Sequence, residues 1–208
     1  QIVIDFHSTT SSMGSSLVVY GRRPADLAIA ALLQARLDLP IYLHEADDTQ
    51  QGFLVESWPC GLVIEIGPVP QGVLDAKTIQ RSKLVLESFL YELVQLDKGL
   101  AIFPDQLVVH RHLGSIDFPR SPDGKIEAFI HPLRQGQDWT PIKNGDPLFM
   151  KADGSIVEFE GEEVLVPVFI NEAAYSEKNI AMSFTKKEIW NFSNEWDNAL
   201  KNVLSNSS

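Results

Sequence analysis

Two short runs hold the side chains best suited to chemistry. The first is Asp5-Phe6-His7-Ser8-Thr9-Thr10-Ser11-Ser12-Met13-Gly14. His7 stands at the carboxyl end of an apolar, strand-like run, and in α/β sheets ligands bind beyond the carboxyl ends of strands. Asp5 lies two residues earlier and projects from the same strand face, where a carboxylate can orient a metal-ligating imidazole. The alternative is a strand-end histidine capped by the hydroxyls that follow it. The second run is Gly61-Leu62-Val63-Ile64-Glu65-Ile66-Gly67-Pro68. Glu65 is embedded in a strand of central type, and a buried carboxylate is costly unless paired, metal-bound or protonated. It suits a general base at a sheet edge, or equally a glutamate satisfied by a neighbouring cation or backbone N–H.

Other chemistry-bearing residues read as structural. His110-Arg111-His112 puts two imidazoles on one strand face without a third ligand nearby, and is read as a surface ladder. His44-Glu45 with Asp47-Asp48 reads as a solvated loop, and His131-Pro132 as a turn. Cys60 has no base close in sequence and reads as a small buried residue. Glu172 is expected to have a hydrogen-bonding role, and the aromatic residues from Trp190 onward a packing or oligomer face.

The elements that must position these residues alternate over the first hundred residues. Strands are predicted at 1–6, 17–20, 41–44 and 61–66, and helices at 24–37 and 73–96. Pro24 suits a first helical turn and Asp26 its positive end. The runs around Asp5 and Glu65 are apolar on both strand faces, the pattern of central strands covered on both sides. From 107 to about 184 short strands alternate with Gly-, Asn- and Pro-marked turns at 121–124, 144–147, 153–154 and 160–161. Residues 186–204 are predicted to close the chain as a helix. The expected organisation is an α/β part over 1–103, a mixed sheet flanked by helices, followed by a β-rich domain over 104–208.

Composition narrows the function. Of the 208 residues, 44% are hydrophobic, enough for a real core, and the formal net charge is −11. The 17 lysines and arginines are dispersed, so no basic stripe for nucleic acid is present. No apolar run approaches the roughly 20 residues of a membrane span. The single cysteine excludes an intrachain disulfide and suits a reducing, cytoplasmic setting. The chain opens at Gln1 inside a strand-like run, without initiator Met, and is read as continuing from an upstream segment.

Several motifs in order resemble the aspartoacylase family of zinc-carboxypeptidase-like amidohydrolases. DFHSTTSSMG is similar to the family's DLHNTTSNMG-type signature, and IEIGPVPQGVL to its IEVGPQPQGVL segment. Asp117-Phe118-Pro119-Arg120, Ile130-His131-Pro132, Gln137-Asp138-Trp139, Gly145-Asp146-Pro147 and Asn171-Glu172-Ala173-Ala174-Tyr175 follow in the same order. The resemblance runs from residue 1 to about 185. It implies an N-terminally incomplete zinc-carboxypeptidase-like catalytic part and a β domain that covers the active site. His7 falls on the last of three zinc ligands, the others being a His-x-x-Glu pair. Glu65 falls on the catalytic carboxylate, which activates the attacking water and meets substrate. Tyr175 falls on a substrate-binding tyrosine. The implied reaction is zinc-dependent hydrolysis of an N-acyl-amino acid, N-acetyl-L-aspartate to acetate and aspartate. Alternatives are a deacylase for other N-acyl- or N-succinyl-amino acids, or a metal-free binding module on the same fold. Relatives form oligomers, so a homo-oligomer is expected.

Two departures stand out. No His-x-x-Glu precedes His7, so the chain by itself is expected to hold zinc poorly and to be inactive. No arginine occurs between Arg36 and Arg81, where some relatives place one for the substrate. Gln50 or Gln51 is a weak substitute.

Overall fold

The structure, a computed structural model, describes residues 1–45 and 52–206. A mixed sheet runs through most of it. Its strands are β1 (Ile2–Ser8), β2 (Ser15–Tyr20), β3 (Ile41–His44), β4 (Cys60–Ile66), β5 (Gln106–Ile116), β9 (Val166–Val168) and β10 (Met182–Asn191), with β6 (Ala128–Ile130), β7 (Pro147–Lys151) and β8 (Ile156–Glu158) forming a second, three-stranded sheet. The main sheet has the order β1-β4-β2-β3-β5-β10-β9. The β1/β4, β2/β3 and β3/β5 pairs are parallel, and the β2/β4, β5/β10 and β9/β10 pairs antiparallel.

Helices cover one face of this sheet. α1 (Pro24–Leu37) begins with its proline in the first turn and ends at Asp38, which takes a left-handed conformation with φ 54°. Every residue from Ala25 to Leu33 is buried. A helix apolar on all sides belongs between layers, and α1 packs against α2 (Ala76–Asp97) and α3 (Asn194–Ser205) as well as the sheet. Its buried acid, Asp26, accepts from the Gly61 N–H at 2.9 Å and pairs with Arg23.

Strand alternation then sorts the residues. Leu17, Val19, Ile41, Leu43, Leu62, Ile64 and Ile66 join the helix-side core. Val3, Val18, Tyr42 and Val63 join a second cluster on the opposite face, with Met13, Val168 and Phe169. The period of two therefore sends Asp5, His7, Tyr20 and Glu65 to that opposite face too. The β-rich part lies over it.

Three expectations change. The helix predicted at 73–96 begins at Ala76, because the Asp75 side chain accepts from the Thr78 N–H at 2.7 Å and caps it there. Residues 186–191 are strand, not helix: alternating exposure lets them pair with β5, and α3 begins only after Ser193. β1 is an edge strand among the described residues, while β4 is central and buried throughout. β5, β9 and β10 belong to the main sheet, and the small sheet consists of β6–β8. Three of the four predicted glycine turns have a positive φ, at Gly124, Gly145 and Gly154, whereas Gly161 does not.

Candidate functional site

Parallel register places His7 opposite Glu65. The imidazole Nδ1 is 3.6 Å from Glu65 Oε1, and its Nε2 is 3.1 Å from Asp5 Oδ2. A carboxylate thus faces each ring nitrogen. The polar contact with Glu65 is the chief cause of a His7 pKa raised to about 9; burial opposes it and the charge of Asp5 adds to it. The same two carboxylates that favour a proton there favour a metal cation, because both cations use the ring nitrogen lone pair.

His7 and Glu65 open into a cavity of about 220 Å³ under the Phe169–Lys178 segment. Tyr20, Phe53, Phe169 and Tyr175 supply aromatic walls, and Tyr20 stacks on Phe53 at 3.9 Å between ring centroids. Burial, followed by neighbouring negative charge, pushes the Tyr20 and Tyr175 hydroxyls above the usual phenol range. Both stay protonated donors at neutral pH.

The loop after β1 is tied to the β-rich part by two carboxylates. Glu172 accepts from the Thr9 hydroxyl, from the Thr10 N–H at 2.8 Å and from the Ser11 N–H at 3.0 Å. Burial works against its charge, but these donors leave its pKa below the usual value. Asp138 accepts from the Ser12 N–H and the Ile170 N–H, both at 3.1 Å. Here burial wins and raises the pKa to about 6. Trp139 Nε1 donates to the Met13 carbonyl at 2.9 Å. Beneath the loop, a Cβ on Gly67 would meet the Thr9 carbonyl at 2.4 Å, so only glycine lets the two turns touch.

The predicted site residues His7, Glu65 and Tyr175 therefore line one cavity, and Glu172 has the expected hydrogen-bonding role. His131 forms a turn, with its carbonyl accepting from the Arg134 N–H, and Cys60 is a buried thiol. The expectation of a surface ladder at 110–112 is overturned. His110 and His112 are buried, because β5 is internal to the sheet. His112 Nδ1 lies 2.9 Å from the Tyr42 hydroxyl, and His110 packs edge-on to Trp139. His44 is buried rather than solvated. Asp47, Asp48, Gln50 and Gln51 lie outside the described residues.

Tyr20, Phe53 and Lys178 reach the cavity without having been singled out by sequence. Tyr20 had a readable signal, at the same strand parity as Val18 on the cavity face. Lys178 had one too, three residues after Tyr175. Phe53 had none.

The donors present fit one metal ligand position. His7, with Asp5 behind it, has the form of a ligand and its orienting carboxylate. Among the described residues no three His, Cys, Asp or Glu side chains are grouped to hold a metal.

Comparison with known proteins matches this arrangement to one family. The Succinylglutamate desuccinylase/Aspartoacylase catalytic domain model matches residues 1–93, and the AstE/AspA barrel-sandwich hybrid domain model matches 105–187. A probable aspartoacylase of Prochlorococcus marinus strain NATL1A is 56% identical over 204 residues, covering 98% of this chain and 67% of the relative. A probable aspartoacylase of a Synechococcus species, strain CC9605, is 57% identical over 205 residues, with the same coverage. Among solved structures, a mutant of murine aminoacylase 3 superposes with a TM-score of 0.86 at 31% identity, over 92% of this chain and 63% of that one. The chain spans about two thirds of the length of these relatives.

Proposed function

We propose, because the chain belongs to the succinylglutamate desuccinylase/aspartoacylase family, that its cavity is the hydrolytic site of an amidohydrolase acting on an N-acyl-amino acid. The observation that carries this reading is the pairing of His7 with Glu65 on adjacent strands, beneath Tyr175. The substrate favoured is N-acetyl-L-aspartate, which is cleaved to acetate and aspartate.

The residues divide the work. Glu65 is positioned to take a proton from the attacking water and return it to the leaving nitrogen, a role worth about 10²–10⁴ in rate. A water held by Glu65 would sit beside the imidazole of His7, whose Nδ1 is 3.6 Å from the carboxylate. Tyr175 and Tyr20 donate hydrogen bonds to the anionic part of the substrate, and the aromatic walls keep bulk water away. Zinc, held by His7 with further ligands beyond the described residues, would supply a Lewis acid that polarises the amide carbonyl and acidifies water. A cytoplasmic setting fits the lone, buried thiol of Cys60.

The stacked Tyr20–Phe53 wall, with no arginine between Arg36 and Arg81, favours a second reading: deacylation of other N-acyl- or N-succinyl-amino acids. A substrate panel on the zinc-loaded full-length protein, scored by release of free amine, separates them. N-acetyl-L-aspartate is expected to react fastest. Preference for neutral or succinylated substrates would select the second reading. No turnover of any would leave a metal-free binding module.

A further inference from the structure

A cavity that presents carboxylates repels an anionic substrate unless a cation answers it. Glu65 and Glu172 both line this one. His7 is engaged by Asp5 and Glu65. Among the described residues that line the cavity, Lys178 is the one lysine or arginine. We infer that Lys178 is a specificity-determining residue, which with the Tyr175 hydroxyl binds a substrate carboxylate. The inference rests on reading the cavity as an N-acyl-amino-acid site.

Local geometry supports the pairing. Tyr175 and Lys178 belong to the 3₁₀ helix Ala173–Lys178. Three residues make one 3₁₀ turn, so positions i and i+3 project from the same side. Lys178 Nζ accordingly lies 5.7 Å from the centroid of the Tyr175 ring. The base of this helix is fastened. The Ala173 N–H donates to Thr10 Oγ1 at 2.8 Å, and the Glu172 side chain accepts from the Ala174 N–H at 3.2 Å. Its tip ends at Asn179, whose φ of 56° breaks the turn.

Beyond the Tyr175 ring, the ammonium group has no charged partner among the described residues. Lys125, Lys186 and Lys201 each meet a carboxylate at 2.6–2.7 Å, whereas Lys178 makes no ion pair with a described residue. The nearby Arg120 cannot take its place, because it is held by Asp117 and by the Asn179 side chain. A phenol donor and an ammonium without an ion-pair partner among the described residues, on one anchored turn, form a carboxylate cradle. It belongs to the Ala173–Lys178 turn, whereas His7 and Glu65 of the same cavity belong to β1 and β4.

The test uses the full-length, zinc-loaded protein with Lys178→Ala and Lys178→Arg, on N-acetyl-L-aspartate, N-acetyl-L-alanine and N-acetyl-L-alanine amide. Lys178→Ala is expected to raise KM about tenfold for substrates carrying the carboxylate it binds, the size of one charge-assisted hydrogen bond. The uncharged amide should be unaffected, and Lys178→Arg should recover most of the loss. Raised salt should shrink the difference between wild type and Lys178→Ala. The substrate at which the effect first appears tells which carboxylate is bound: aspartate alone for the side chain, alanine as well for the main chain. Calorimetric titration with L-aspartate gives a readout independent of turnover, and the same loss is expected in Kd. If wild type binds L-aspartate but cleaves no amide, the functional reading fails while the Kd shift still decides Lys178. An equal KM effect on all three substrates, or an unchanged Kd for L-aspartate, would overturn the inference.

Discussion

The two sides of the cavity are held by different forces. On one side, His7 and Glu65 face each other at equivalent positions of paired strands, so backbone ladder bonds and a buried sheet keep them in place. On the other, Tyr175 and Lys178 ride on a short turn whose attachment depends on side chains, above all Glu172 and Asp138 reaching the backbone of residues 10–12. The strand side cannot shift without breaking a sheet. The clamp side can shift when one carboxylate is lost or when Glu172 is protonated. Under the proposed function, the groups assigned to the chemistry sit on the stiffer support and those assigned to recognition on the more adjustable one, an arrangement in which specificity can vary while the chemistry stays.

This contrast predicts separable failures. On the strand side, His7→Ala should abolish both zinc binding and turnover in the full-length protein. Unchanged zinc by elemental analysis would remove His7 from the ligand set. On the clamp side, Glu172→Ala would strand the half-buried N–H of Thr10 and the buried N–H of Ser11. A loss of about 2–3 kcal/mol in denaturant unfolding is expected from that loss of partners, together with lower kcat/KM and retained zinc. Loss of zinc there would show that the two sides are not independent.

Tyr175→Phe removes one donor without disturbing the clamp. KM should rise several-fold for acidic substrates and less for neutral ones, the size of one hydrogen bond. An equal rise for both would dissociate Tyr175 from the carboxylate.

The smallest effect is in pH dependence. Asp138 has a folded pKa of about 6 against an ordinary 3.8. The folded state holds the proton more tightly, so stability should fall as pH rises from about 4 to 6 and be flat in this contribution above that. Asp138→Asn should remove that slope in urea unfolding measured across the window. Glu172 has the opposite sign: its lowered pKa gives stability above its ordinary value of 4.5 that is lost on acidification. Two slopes of the same sign would contradict the assignment.

The same contrast explains what could be read from sequence. The strand side was legible, because period-two alternation and strand ends are local signals: Asp5 with His7, and Glu65 before Gly67-Pro68. Pro24 and the turn glycines were legible for the same reason. The clamp was only partly legible. Glu172 was expected to hydrogen-bond, but its donors lie more than 160 residues away, and no local pattern names them. The histidines of β5 were misplaced because burial depends on a strand's neighbours in the sheet, here β3 and β10. Residues 186–191 misled because Ile189 and Trp190 suit a helical face as well as a strand pairing.

The most direct test of the central claim is Glu65→Gln in the full-length protein, with zinc content and N-acetyl-L-aspartate hydrolysis measured on the same preparation. The account predicts full zinc occupancy with turnover lowered by about 10²-fold or more. Substantial hydrolysis by the Glu65→Gln variant would contradict it.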